Sequence, residues 1–170
     1  ALRYLPEYAG AVEYVNPDLM ALGMSPTDIR LSAIKAGKFT LERIAELIAA
    51  RTSFAFETTL SGRGHLKLLA DAKRRGYRVV LYYLWMPEPA ALPLRISHRV
   101  LAGGHDVPTA DVMRRYARSS ANVRDYAALA DSTLVFYAVP AIQRLIYRRN
   151  GDSLVLDPAL AEPMRKELGI

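Results

Sequence analysis

The chain has no cysteine, one tryptophan and three histidines in 170 residues. Without cysteine there is no disulfide framework, no thiolate metal site and no cysteine nucleophile, a usage that fits a reducing compartment and makes the cytoplasm the expected location. His65, His98 and His105 stand far apart, and no histidine has an acid at metal-ligand spacing, so no metal-ligating residues are assigned. No serine lies in the glycine frame of a nucleophile elbow. Long apolar runs are missing too. The longest, Val79 to Met86, has the length of a strand and falls well short of the roughly 18 to 20 residues of a membrane span. Ala1-Leu-Arg-Tyr-Leu-Pro6 has neither an initiating methionine nor the full pattern of a secretory leader, so the expectation is a chain cut or processed at its start.

What is present is enough apolar surface for one core. Hydrophobic residues make up 51% of the chain, and its length suits one domain spanning 1–170. The net charge of +6 favours anionic partners without choosing among them. Ala11 to Asn16 alternates and breaks at Pro17, which reads as a strand delivering Asn16 and Asp18 to a loop. Ser25-Pro26-Thr27-Asp28 has the chemistry of a helix start. Leu31, Ile34, Leu41, Ile44, Leu47 and Ile48 then recur at helical spacing, and the helix should end near Arg51.

Ser53 to Thr58 reads as a second strand, Gly64 to Arg75 as a helix closed by Gly76, and Tyr77 to Met86 as a strand buried on both faces. Helices follow over Leu94 to Leu101 and Pro108 to Ala130, with a strand at Thr133 to Tyr137. Asn150-Gly151 marks a two-residue hairpin, and Pro158 to Leu168 a last helix. This alternation predicts a three-layer α/β domain: a mostly parallel sheet, flanking helices and a C-terminal β-hairpin.

Three constellations carry possible chemistry. Asn16-Pro17-Asp18 at a strand end offers a carboxylate for proton transfer or magnesium, or is simply a turn. Phe54 to Arg63 ends an apolar strand in Glu57, Thr58, Thr59, Ser61 and Arg63, which reads either as a ligand site at the carboxyl end of an α/β sheet or as a capped loop. On one side Glu57 and Thr59 share a strand face. Arg95, His98, Arg99, His105, Arg114, Arg115 and Arg118 surround Gly103-Gly104, and read either as a polyphosphate clamp or as a solvated face relieved by Asp106, Asp111 and Asp125.

Taken in order, Tyr14-Val-Asn-Pro-Asp18, Phe54 to Gly62, Gly76-Tyr-Arg78, Gly103-Gly-His-Asp-Val-Pro108 and Arg114-Arg-Tyr116 resemble the zeta-toxin-like P-loop kinase family, in its branch of predicted ABC-type ATPases. The resemblance runs from residue 1 to about residue 135. It implies a P-loop kinase-like fold, ATP and Mg²⁺, and transfer of a γ-phosphoryl group to a small-molecule hydroxyl, a nucleotide sugar in characterised zeta toxins. By that likeness Asp18 is the catalytic aspartate and Arg99 neutralises the transferring phosphate. Glu57, Thr58, Thr59 and, more loosely, Arg63 bind the acceptor, and an antitoxin protein is a possible partner.

The chain departs from the family in three places. His105 stands near a second phosphate-clamping arginine, a role that Arg114, Arg115 or Arg118 would then take. Phe136 to Pro140 is apolar where relatives line the nucleotide base with polar groups. No Gly-x-x-Gly-x-Gly-Lys-[Ser/Thr] loop occurs among the 170 residues, so the chain by itself is expected to be inactive. The alternative readings are a non-catalytic small-molecule or nucleotide-binding module and, ranked last for want of any recognisable motif, a basic nucleic-acid-binding domain.

Overall fold

The computed structural model describes residues 13–24, 29–101, 106–139 and 142–170, with side chains excepted at 29–31, 33, 99 and 142. They fall into two compact units that meet in sequence at Thr58 and Thr59. The first holds strand β1 (Glu13–Val15), helix α1 (Pro17–Met24), helix α2 (Ile29–Ala49) and strand β2 (Phe54–Phe56). β1 and β2 pair in parallel, Glu13 opposite Phe54 and Val15 opposite Phe56.

Asp18, expected in a loop, lies instead in the first turn of α1. The reason is Asn16: its Oδ1 accepts from the amides of Asp18 at 2.8 Å and Leu19 at 3.2 Å, and Pro17 suits the first helical position. α2 buries Ile44, Leu47 and Ile48 as its spacing predicts, but Ile34 is 77% exposed. The helix ends where expected. Arg51 takes a left-handed φ of 55°, and the amide of Thr52 reaches back to the Leu47 carbonyl at 3.1 Å, so the last carbonyls are satisfied. The expected helix start at Ser25 to Asp28 lies outside the described residues.

The second unit contains α3 (Gly64–Arg74), β3 (Val80–Trp85), a 3₁₀ turn (Pro89–Ala91), α4 (Leu92–Leu101), α5 (Thr109–Leu129), β4 (Ser132–Val139), β5 (Ile142–Asn150), β6 (Asp152–Val155) and α6 (Pro158–Leu168). Its sheet has the order β3-β4-β5-β6. β3 and β4 are parallel, while β4/β5 and β5/β6 are antiparallel, so the sheet is mixed and not mostly parallel. A parallel neighbour needs a crossover connection, and after β4 the chain returns directly as β5. The C-terminal hairpin is present, but tighter than expected: Asn150 pairs with Asp152, leaving Gly151 alone at the turn with φ 78°.

β3 is buried on one face only, against the expectation of two. Tyr83 and Trp85 enter the core, whereas Val80, Tyr82 and Leu84 are exposed, Leu84 by 54%. The physical reason is that every helix contributing to this core lies on one side. Val123 and Tyr126 of α5 and Ala161, Met164 and Leu168 of α6 pack with Tyr83, Trp85, Val135, Ile146 and Tyr147, and Leu66 and Leu69 of α3 join them. Each such large side chain contributes about 1.5–3 kcal/mol by burial. A polar clamp fastens α6 onto this face: Glu167 accepts from Trp85 Nε1 at 2.9 Å, Tyr116 at 2.6 Å and Ser120 at 3.3 Å.

Candidate functional site

In the first unit the parallel strands bring two sequence-distant acids to one end. The ladder extends one step past Phe56, with the Glu57 amide donating to the Val15 carbonyl at 3.1 Å. Asn16 follows Val15 directly, and its Nδ2 donates to Glu57 Oε2 at 2.9 Å. One amide therefore joins Glu57 to the helix start that carries Asp18. Asn16 Nδ2 also lies 3.4 Å from the Tyr14 hydroxyl. Burial, and then the hydrogen bond to Glu57, push the Tyr14 phenol up to about 12, so it remains a neutral hydroxyl beside the acid. Asp18 and Glu57 are both exposed.

Glu57 is thus tied to the start of the helix that carries Asp18 by Asn16, a member of the Asn16-Pro17-Asp18 constellation that sequence reasoning left without a role, and Tyr14 lies beside them. A signal was there: positions 14 and 16 share a strand face. Among the described residues no three histidine, cysteine or acidic side chains cluster as a metal site.

In the second unit the loop from Thr59 to Arg63 is gripped by one face of α5. Leu60 has a left-handed φ of 54°, unusual for a side chain of its size. Its carbonyl accepts from Asn122 Nδ2 at 2.8 Å, the Gly62 carbonyl accepts from Tyr126 at 2.7 Å, and Arg63 pairs with Asp125 at 2.6 Å. Positions 122, 125 and 126 are neighbours on a helix face. Arg63 is accordingly engaged by Asp125. Thr59 and Ser61 share a hydroxyl contact of 2.8 Å, and neither caps α3, whose N-cap is Arg63 without a side-chain bond. Thr58 is half-buried.

The arginine segment divides. Arg114 is held by Asp111 at 2.7 Å, and Arg115 and Arg118 lie exposed on α5, as a solvated face would have them. Arg99 is on α4, with its side chain outside the described set, and His105 lies outside the described residues altogether. Arg95 donates to the Ala138 carbonyl at 3.3 Å and lines a cleft of about 450 Å³. Met86, Leu94, Tyr137 and Val139 form its apolar walls, and Glu88, Arg95 and His98 supply polar groups. It sits beyond the carboxyl ends of parallel β3 and β4, where α/β sheets bind ligands.

No family model matches the chain. Over 102 residues it is 30% identical to an uncharacterized protein of Haemophilus influenzae, covering 60% of this chain and 73% of that protein. Its structure is similar to a chain from the PezAT chromosomal toxin–antitoxin system of the human pathogen Streptococcus pneumoniae. The TM-score is 0.61, with 14% identity, and the match covers 99% of this chain and 71% of that one. At this identity the likeness is one of fold. No helix among the described residues is long and apolar enough to cross a membrane.

Proposed function

We propose, for a chain that belongs to the same family as the Haemophilus influenzae protein and has a zeta-toxin-like α/β fold, an ATP-dependent phosphotransferase acting on a hydroxyl of a small molecule. The observation that carries this reading is the Asn16 bridge between Glu57 and the helix start bearing Asp18. Asp18 is the general base for the acceptor hydroxyl, and Glu57 holds the acceptor with the hydroxyls of Thr58 and Thr59. The cleft beside Arg95 takes the nucleotide base, and Arg99 is given to the transferring phosphate by the family likeness alone. Arg63, paired with Asp125, orders the loop. The acceptor is a nucleotide sugar, and an antitoxin is the partner to look for.

The residues present fit the acceptor and base ends of such a site, and they do not fit the phosphate end. No glycine-rich phosphate loop occurs among the 170 residues, so these residues alone hold a triphosphate weakly. A second reading is a non-catalytic module that keeps small-molecule binding. The test is phosphate transfer by the full reading frame with ATP, magnesium and a panel of nucleotide sugars and simple alcohols. Labelled phosphate should appear on one acceptor, and Asp18→Asn should lower the rate by about 10²- to 10⁴-fold. If there is no transfer to any acceptor, and Asp18→Asn has no effect in cells, the kinase reading fails; a phosphate loop in the reading frame would remove the non-catalytic one.

A further inference from the structure

We infer that the cleft beyond β3 and β4 distinguishes purines and selects guanine over adenine, so that its preferred occupant is a guanine nucleotide. This rests on the nucleotide reading above. ATP enters that reading from the family; the side chains of this cleft replace it by GTP as the donor and leave the acceptor and the phosphoryl transfer of that reading as they stand.

The cleft carries opposite charges that do not neutralise one another. Glu88 caps the 3₁₀ turn without a side-chain cap bond, and among the described residues its carboxylate has no hydrogen bond and no ion pair. Arg95 uses one N–H on the Ala138 carbonyl, and its remaining donors stay available. Both side chains are exposed and line the same space as the apolar Met86, Leu94, Tyr137 and Val139. A ligand that fits must be flat and apolar on its faces, with donors on one edge and acceptors on another.

Guanine has that pattern. Its N1–H and 2-amino group form adjacent donors that the two oxygens of a carboxylate accept together, and its O6 and N7 form the acceptor pair that a guanidinium reads bidentately. Adenine turns the lone pair of N1 toward a carboxylate and offers one donor group beside it. Uracil offers a single N–H between two carbonyls, which the carboxylate repels. Tyr137 and the aliphatic walls hold any ring by stacking and burial, so they supply affinity but no choice. A volume of about 450 Å³ holds a purine nucleoside.

The test uses the 170-residue chain with nucleosides, which need no phosphate loop. Guanosine and adenosine are titrated, with saturation-transfer NMR and the fluorescence of Trp85 as readouts. Trp85 is the sole tryptophan, and its ring centroid lies 6.3 Å from that of Tyr137. Guanosine should bind at least about tenfold more tightly than adenosine. Glu88→Gln should weaken guanosine about tenfold and change adenosine by less than about twofold, one lost charge-assisted bond being of that size. Adenosine binding as tightly as guanosine, or a ratio unmoved by Glu88→Gln, overturns the guanine preference and leaves the cleft as a base site. Binding of neither nucleoside overturns the base site as well.

Discussion

Asn16 divides one amide between two tasks: its oxygen starts α1 and its nitrogen holds Glu57. The two are separable. Asn16→Ala removes both and should cost about 0.5–2 kcal/mol for the lost cap. Asn16→Ser keeps an acceptor for the helix amides but takes the Asn16 donor from Glu57, so it should recover most of that stability in urea titration while failing to restore any activity of the full reading frame. His65 sets a different limit. Burial holds its imidazole below the ordinary value, so the unfolded chain takes up the proton first as pH falls. Its contribution is whole above the unfolded value of about 6.5 and is lost below it. Asp131 behaves in the usual acidic sense. The Lys73 hydrogen bond and the Val79 amide lower its pKa, and its contribution is lost only as pH falls below the ordinary carboxylate range. Urea midpoints measured from pH 7 downward should therefore fall first below about 6.5, and His65→Gln should flatten that first part alone.

At the scale of elements, α5 does more than cover the sheet. Asn122, Asp125 and Tyr126 hold the loop of Leu60 to Arg63, and Tyr116 and Ser120 meet Glu167 of α6. Asn122→Ala would remove the Asn122 hydrogen bond to the Leu60 carbonyl, at about 0.5–1.5 kcal/mol, measured by denaturant unfolding. Glu167→Ala would strip Trp85 Nε1 of its acceptor and leave Tyr116 only the Met86 carbonyl at 3.0 Å, with a similar loss and a shift in tryptophan emission. Helix ends were legible in the amino-acid order because their causes are local: α6 runs from Pro158 to Leu168 as expected, capped by Asp157 and closed by Gly169 at φ 67°. Asn16, by contrast, reads as a loop residue after its strand, although an asparagine before proline is also a helix cap.

For the molecule as a whole, the exposed face of β3 is the largest departure from expectation. Val80, Tyr82 and Leu84 are apolar, exposed and free of flanking charge within the strand. Strand edges and apolar patches of this kind favour association. Leu84→Lys should change stability by no more than about 0.5 kcal/mol and should reduce self-association in sedimentation measurements. Residue periodicity was enough to announce an α/β chain with helices over Gly64 to Arg75, one residue longer than observed, and Pro158 to Leu168, and a hairpin at Asn150-Gly151, because propensity, capping and turn chemistry act within a few residues. Periodicity could not tell that β4 would be followed by an antiparallel partner, that β3 would keep a bare face, that Arg63 would pair with Asp125, or that Glu57 would meet Asn16 forty-one positions away. Those outcomes depend on which long-range surfaces meet, a choice made by the free energy of the packed chain and written in no local stretch of it.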